Sequence, residues 1–397
     1  MISGAARLGD VATLNPPTPR GLLGSDTEVA VVPMAAVSEQ GSMRIQEYKP
    51  ANEVSSGLSY FTDGDVLVAK ITPCYENNKI TQASIDRAHA FGSTEFHVLR
   101  PDQRRLDGRY LTHFLRQDRV RTSGVKRMTG SGGQRRVPRS FLEELEIPLP
   151  PLGEQRRIAA ILDLVDGLRR RDNLVSVKAH SLWRSAFEVM IGDPAVNAMR
   201  WPMRTLGSIS LIFSDGPFGS NLKSEHYVPL GVRVIRLQNI GVGEFIDNDR
   251  AYISAEHFSR LQKHACRPFD VLIGTLGDPN LRACLQPQAI PIALNKADCV
   301  QMRCDPDKAL PEYVEALLNH PSTARMAASR IQGQTRLRIS MGRLRELEVP
   351  VPPVSVQSEF VERVRNIRAL QGKQTERSER LDALFASLQH RAFRGEL

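Results

Sequence analysis

Lysine, arginine and asparagine gather in five polar loops of this 397-residue chain, and such side chains suit the reading of base edges and phosphates. The first loop follows the apolar run Val66-Leu67-Val68-Ala69 and carries Lys70, Thr72, Tyr75, Asn77, Asn78 and Lys79. Asparagine can pair bidentately with adenine, and lysine can reach guanine or a phosphate. The same loop also reads as a turn whose asparagines satisfy backbone groups. Ser220, Asn221 and Lys223 follow Gly216-Pro217-Phe218-Gly219, a turn open enough to bring backbone amides to a phosphate, or simply a structural turn. Arg236, Gln238 and Asn239 end an apolar run; alternate strand residues share a face, so Arg236 and Gln238 can point together. Thr129 to Arg136 is glycine-rich and holds Ser131, Arg135 and Arg136, and Gln332 to Arg338 is its counterpart with Arg336 and Arg338.

Charge supports a polyanionic partner. The net charge is +9, and Arg116 to Arg139 contains eight lysines or arginines against one acid, Asp118. The corresponding stretch of the second half, Arg325 to Arg345, holds six arginines and no acid. Paired basic clusters of this kind suit displacement of counterions from nucleic acid, although each alone reads as a solvated basic face.

Other chemistries lack their residues. No GxxxxGK[ST] phosphate loop occurs, and Gly241-Val242-Gly243 lacks the third glycine and helix of a dinucleotide fingerprint. Asn15-Pro16-Pro17-Thr18 has the NPP core of amino-methyltransferases, but Thr18 stands where a stacking aromatic is needed, so intrinsic methyl transfer is not expected. The five cysteines are odd in number and form no CxxC pair, so neither disulfides nor zinc are expected. No catalytic or metal-ligating constellation and no cofactor site is expected in the chain. With no signal-peptide pattern and no long apolar segment, a cytoplasmic location without membrane contact is expected.

The elements that position these loops come twice. Leu145-Glu146-Ile147-Pro148-Leu149-Pro150-Pro151 with Gln155 returns 202 residues later as Leu347-Glu348-Val349-Pro350-Val351-Pro352-Pro353 with Gln357. Gly64-Asp65-Val66-Leu67-Val68 echoes Phe269-Asp270-Val271-Leu272-Ile273, and Ala186-Phe187 echoes Ala392-Phe393. A period this long implies a duplicated domain with its connector, not a solenoid unit. After each proline pair an apolar heptad pattern predicts a long helix of about 55 Å. Its seam is expected at Ile158, Ile161, Val165, Leu168, Val175, Leu182 and Val189 in the first copy. Val364, Ile367, Leu381 and Leu388 carry it in the second, and two such helices would most simply pack on each other. The segments before the helices mix short strands with turns, giving a mixed α/β (α+β) fold. The expected division is 1–150 and 200–350 as globular domains, with 151–192 and 351–397 as the connecting helices.

These residues resemble the specificity subunit of Type I restriction–modification enzymes, over both halves. The most specific stretches are Thr72-Pro73-Cys74-Tyr75-Glu76-Asn77-Asn78-Lys79-Ile80, Gly92 to Pro101, Asp215 to Lys223, Arg236 to Gly241, the proline motifs and Ala392 to Leu397. Where the family usually has Glu-Asn-Gly-Lys, this chain has Glu76-Asn77-Asn78-Lys79, and asparagine is the best substitute if that turn needs positive φ. The resemblance implies two target recognition domains that read a bipartite, asymmetric double-stranded DNA site. It implies an antiparallel coiled coil with pseudo-two-fold symmetry, whose length of about one and a half DNA turns would fix the spacer. It further implies docking of adenine-methyltransferase subunits, two in number, that carry S-adenosylmethionine. Restriction subunits using ATP and Mg can join them. A modification-only or other phage-defence role, or a scaffold without DNA contact, are the alternative readings.

Overall fold

The computed structural model describes residues 4–397 apart from 20–23, 25, 55, 56, 132, 278 and 331–336; the side chains at 174 and 176–181 also lie outside the description. The chain divides into two compact units, Met1–Val175 with Gln374–Leu397, and Ser176–Lys373.

In the first unit, the run Val66-Leu67-Val68-Ala69 is apolar without a break because the strand it forms is buried on both faces. Val66 and Val68 enter one core with Tyr110 and Phe114, while Leu67 and Ala69 enter another with Phe61 and Phe96. The strands are β1 (Ala5–Arg7), β2 (Ala12–Leu14), β3 (Glu28–Val32), β4 (Glu47–Pro50), β5 (Ser59–Phe61), β6 (Val66–Ala69), β7 (Ile80–Gln82), β8 (Ala90–Gly92), β9 (Phe96–Pro101) and β10 (Glu146–Pro148). They form an antiparallel sheet in the order β2-β9-β6-β7, a second in the order β4-β3-β8-β5 with β3 and β8 parallel, and the pair β1-β10. Helices α1 (Gly108–Leu115), α2 (Asp118–Lys126) and α3 (Arg139–Glu143) precede α4 (Leu152–Met190).

The second unit repeats this plan with its own residues. Strands β11 (Met203–Thr205), β12 (Ser210–Asp215), β13 (Tyr227–Val228), β14 (Val232–Ile235), β15 (Ala251–Ile253), β16 (Ala265–Cys266), β17 (Val271–Gly274), β18 (Ala283–Leu285), β19 (Ala293–Asn295), β20 (Cys299–Cys304) and β21 (Glu348–Pro350) build it. The order β12-β20-β17-β18 matches β2-β9-β6-β7, and β11 pairs with β21 as β1 does with β10. The other sheet has five strands, β13-β15-β14-β19-β16, again with one parallel pair, β14 and β19. Its helices are α5 (Ala255–Ser259), α6 (Pro311–Leu318), α7 (Pro321–Ala327), α8 (Met341–Arg345) and α9 (Val354–Ala392).

The repeated residues hold equivalent joints. Asp65 accepts the Thr62 N–H (2.8 Å) and pairs with Arg100 on β9; Asp270 accepts the Arg267 N–H (2.7 Å) and pairs with Arg303 on β20. Both carboxylates are buried, so each needs this full set of partners. Gln155, wholly buried, accepts the Asp107 N–H (2.8 Å) and donates to the carbonyls of Arg105 and Pro150 (2.8 Å each). Gln357 does the same with the Leu310 N–H and the Lys308 and Pro352 carbonyls. Tyr110 and Tyr313 donate their hydroxyls to the carbonyls of Pro148 (3.0 Å) and Pro350 (2.7 Å). Each long helix is thereby stapled at its start to the domain before it.

Each unit's core also takes an aromatic from the far end of a long helix. Phe393 packs on Tyr110 and Phe114, with ring centroids 5.0 and 5.4 Å apart. In the second unit Phe187, near the end of α4, lies 6.0 Å from Tyr313 and 5.3 Å from Phe360. Within the first unit α4 and α9 run antiparallel: Arg169 meets Asp382, and buried Asp172 accepts from Ser378 and pairs with Arg377.

The heptad seam is only partly interior. Ile158, Val165 and Val364 are buried, and Ile161, Ile367, Leu381 and Leu388 are half-buried. Leu168, Val175, Leu182 and Val189 instead are 37–73% exposed, so they correct the expected seam. Ile158, Val165 and Asp172, spaced by seven, stay buried, whereas Leu168 and Val175, three residues after Val165 and Asp172, turn outward, so the helix buries one line of its heptad pattern and not both. Asp172, which breaks the apolar pattern in the sequence, is a buried member of that face.

Candidate nucleic-acid interface

The first-unit loop candidates come together at one end of β6. The Lys70 N–H donates to Glu95 (2.9 Å), the Val137 N–H to Lys70 (2.8 Å) and the Thr72 N–H to Arg135 (2.9 Å), so the 70–79 and 129–136 loops share an edge. Arg136 holds Glu95 through Nε (3.0 Å) and Nη2 (2.8 Å), which pulls that carboxyl below its ordinary range. Arg135 and Ser131 are exposed, with Arg135 4.0 Å from Glu76. Lys70 makes no ion pair among the described residues and lines a cleft of about 330 Å³ with Asn15, Thr18, Ser59, Tyr60 and Thr94.

The rest of that loop is engaged in building itself. Thr72 donates to Glu76 (2.9 Å), Asn77 to Glu39 (2.8 Å) and Lys79 to the Met34 carbonyl (3.2 Å). Asn78 has φ 61°, the left-handed turn conformation in which asparagine can replace glycine. Tyr75 is 1% exposed and lies against Gly124, where any Cβ would collide with its hydroxyl; burial pushes its phenol up. It therefore leaves the candidate surface as a core residue.

The second unit builds the corresponding edge at the end of β17. The Gly277 N–H donates to Leu337 (3.1 Å) and the Ile339 N–H to Thr275 (3.1 Å). Arg338 pairs with Asp298 (3.0 Å) and its guanidinium stands 5.8 Å from the centre of the exposed Phe218 ring. That contact brings the Gly216–Lys223 turn to the edge, with Ser220, Asn221 and Lys223 exposed. Gly216 has no room for a side chain, since a Cβ would lie 2.2 Å from the Lys296 backbone. His226 and His257 stack with centroids 4.0 Å apart behind the turn, and the Asn221 carbonyl is 2.9 Å from His257 Nε2.

Two second-unit candidates are structural. Asn239 is fully buried: Oδ1 accepts the Arg236 N–H (2.9 Å), and Nδ2 donates to the carbonyls of Ile246 (2.9 Å) and Asp249 (2.8 Å). Asn239 accordingly leaves the surface. Arg236 is ion-paired with Asp249, while Gln238 stays exposed. Arg336 lies outside the described residues.

The basic cluster is also less free than its sequence suggests. Arg116 donates to the carbonyls of Asn78, Ile80 and Glu39, and burial lowers its guanidinium to about 10. Arg121, Arg127 and Arg139 pair with Asp118, Glu144 and Glu143. The sequence reading missed the Asn15–Thr18 segment as part of the first edge. Asn15, at φ 50°, accepts the Val98 N–H (3.0 Å), so the NPP core ends β2 beside Lys70. Its signal was positional: it follows β2 as Gly216–Lys223 follows β12. Among the described residues no group of acidic, histidine or cysteine side chains could hold a metal ion, and no helix is long and apolar enough to cross a membrane.

Residues 5–173 match the model of the Type I restriction modification DNA specificity domain. The chain's first half is similar to that domain. The Type I restriction enzyme EcoEI specificity subunit of Escherichia coli is 37% identical over 179 residues, 44% of this chain and 30% of the relative. The match thus spans less than a third of that relative's length. The EcoKI specificity subunit of Escherichia coli K12 is 24% identical over 76% of this chain and 68% of its own. Among solved structures, one described as concerning complex assembly and conformational transition of the type I R-M system covers 99% of this chain and 98% of its own. Its TM-score is 0.64 at 20% identity, a likeness of fold. The specificity-domain match ends at residue 173, near the first unit's boundary at Val175.

Proposed function

We propose that this chain is the non-catalytic DNA-recognition subunit of a Type I restriction–modification complex, reading a bipartite and asymmetric target. Residues 1–150 and 200–350 serve as two target recognition domains, and 151–192 with 351–397 as an antiparallel coiled coil between them. One observation carries the reading. Equivalent strands end in equivalent polar edges in the two units, yet the edge side chains differ: Lys70, Thr18, Thr94 and Arg136 in one, Phe218, Asn221, Lys223 and Arg338 in the other. Conserved joints beneath unlike edges suit one scaffold that reads two different half-sites, by base contacts from the free polar groups and phosphate contacts from the arginines.

The exposed apolar stripe on α4 supports docking of partner subunits. Leu168, Val175, Leu182 and Val189 recur every seven residues with Leu164 beside them, a helix-in-groove pattern that water does not favour. Two modification subunits carrying S-adenosylmethionine would cover it and its counterpart on α9, where Leu370 and Leu384 are exposed. Restriction subunits using ATP and Mg would join that assembly in the cytoplasm.

The test maps adenine methylation by single-molecule sequencing in cells holding this gene and its partner methyltransferase, with and without the chain. A two-part, asymmetric methylated motif that disappears with the chain is the expected result. Methylation indifferent to the chain would overturn the reading in favour of a scaffold without DNA contact.

A further inference from the structure

The staples that join each domain to its long helix are the same in both units. Gln155 and Gln357 make matching hydrogen bonds, as do Tyr110 and Tyr313. Nothing in those neutral contacts distinguishes one long helix from the other. The charges beside them do.

Arg109 is the second residue of α1 and Glu312 the second residue of α6, and the two helices have the same length. Asp163 and Arg365 likewise occupy the same turn of the two 39-residue helices, as do Asp166 and Arg368 one turn later. In the first unit Arg109 pairs with Asp163, and His113 Nε2 reaches the same carboxylate at 2.8 Å. Asp166 lies close enough to Arg116 to stabilise its charge, and it also holds Arg169 and Arg170. In the second unit Glu312 pairs with Arg365, and Glu315 with Arg368 at 2.7 Å. At Arg109–Asp163 and Glu312–Arg365 the same positions make the same contact with the signs exchanged, and Glu315–Arg368 adds a second pair of the same sense in the second unit.

We propose that these contacts are a charge key: the α1 face accepts the acidic turn at Asp163 and Asp166, the α6 face the basic turn at Arg365 and Arg368, and each refuses the other's partner. Exchanging helices would set Arg109 and His113 against Arg365 and Arg368, and Glu312 and Glu315 against Asp163 and Asp166. Such a device suits a duplicated chain, because its hydrogen-bonded joints are the same in both repeats. Specificity then comes from like-charge repulsion in the wrong pairing as much as from attraction in the right one. The key fixes which domain sits on which helix, whatever ligand the domains read.

The test uses the purified full-length chain at pH 8, with amide hydrogen exchange followed at residues 108–115 and 311–318. Asp163→Arg with Arg365→Asp exchanges the keys while leaving composition and net charge unchanged. Exchange in both short helices is expected to quicken about tenfold, since two attractions become repulsions. Adding Arg109→Glu and Glu312→Arg should bring it back to within about threefold of the parent, the scale of one or two restored surface pairs. The neutral variant Asp163→Asn with Arg365→Gln should quicken exchange by only about threefold, having lost attraction without gaining repulsion. Should the inverted chain fail to fold, recovery of folding in the fourfold variant supports the key equally well. Absence of recovery on restoring complementarity, or a neutral variant as damaged as the inverted one, would overturn it.

Discussion

The first unit joins its domain to its helix with a basic Arg109 on α1 and an acidic Asp163 on α4, the second with acidic Glu312 and Glu315 on α6 and basic Arg365 and Arg368 on α9, around identical neutral staples. The two outer edges differ in the same spirit, with a lysine-lined cleft in one and an aromatic–arginine contact in the other. Where geometry must be kept, duplication retained the residue: glutamine, tyrosine and aspartate recur at the same joints. Where the two halves must be told apart, side chains diverged. Buried hydrogen-bonded groups tolerate little change, since removing one partner strands the others, while charges near the surface can be exchanged as pairs.

The comparison breaks most severely at the aromatic plugs. Phe187→Ala should cost the second unit about 3–5 kcal/mol, and Phe393→Ala the first unit a similar amount. Urea unfolding followed by unit-resolved hydrogen exchange would show which unit weakens; loss in the other unit would mean that the plugs are assigned to the wrong cores. Gln155→Ala and Gln357→Ala should each destabilise their own unit by about 2–3 kcal/mol, because a buried amide and carbonyls lose their partners. Unequal losses would show that the two staples are not equivalent.

Titration sharpens the contrast. Burial raises the Glu315 carboxyl to about 7 against the pull of Arg368, so its folded-state pKa exceeds the unfolded one near 4.5. The folded second unit therefore binds the extra proton, and its stability should fall as pH rises from about 4.5 to about 7, by up to about 3 kcal/mol. Glu315→Gln should flatten that slope. Asp163 goes the other way: burial opposes its charge, but hydrogen bonds from His113 and Arg109 outweigh it and hold the carboxyl at about 2. The first unit keeps that contribution above pH 3.8 and should lose about 1 kcal/mol, after allowance for solvent screening, as pH falls toward 2. Denaturation midpoints against pH, read separately for each unit, would show parallel slopes if the charge reversal were inconsequential.

Much of this plan was legible in the sequence. The proline motifs, the long helices and the Asp65 and Asp270 turns announced themselves by repetition, and Asn78 by standing where a glycine was needed. The roles of Gln155 and Tyr110 were not legible, because their partners are backbone carbonyls that only the fold brings near. Tyr75 and Asn239 looked like surface readers since polar atoms in loops carry no label of burial. The exposed heptad of Leu168 and Val175 was indistinguishable from a buried one, because an apolar heptad does not say which of its two lines meets the core.

The smallest intervention bears on the largest claim. Lys223→Ala removes one exposed cation from the second edge only, and Lys70→Ala a half-buried cation from the first. Methylated-site sequencing from cells carrying each variant with its methyltransferase would test whether the two edges read separately. Relaxed specificity confined to one half of the motif for Lys70→Ala, and to the other half for Lys223→Ala, is the predicted result. Relaxation of the same half by both variants would contradict a chain whose two units read two different sequences.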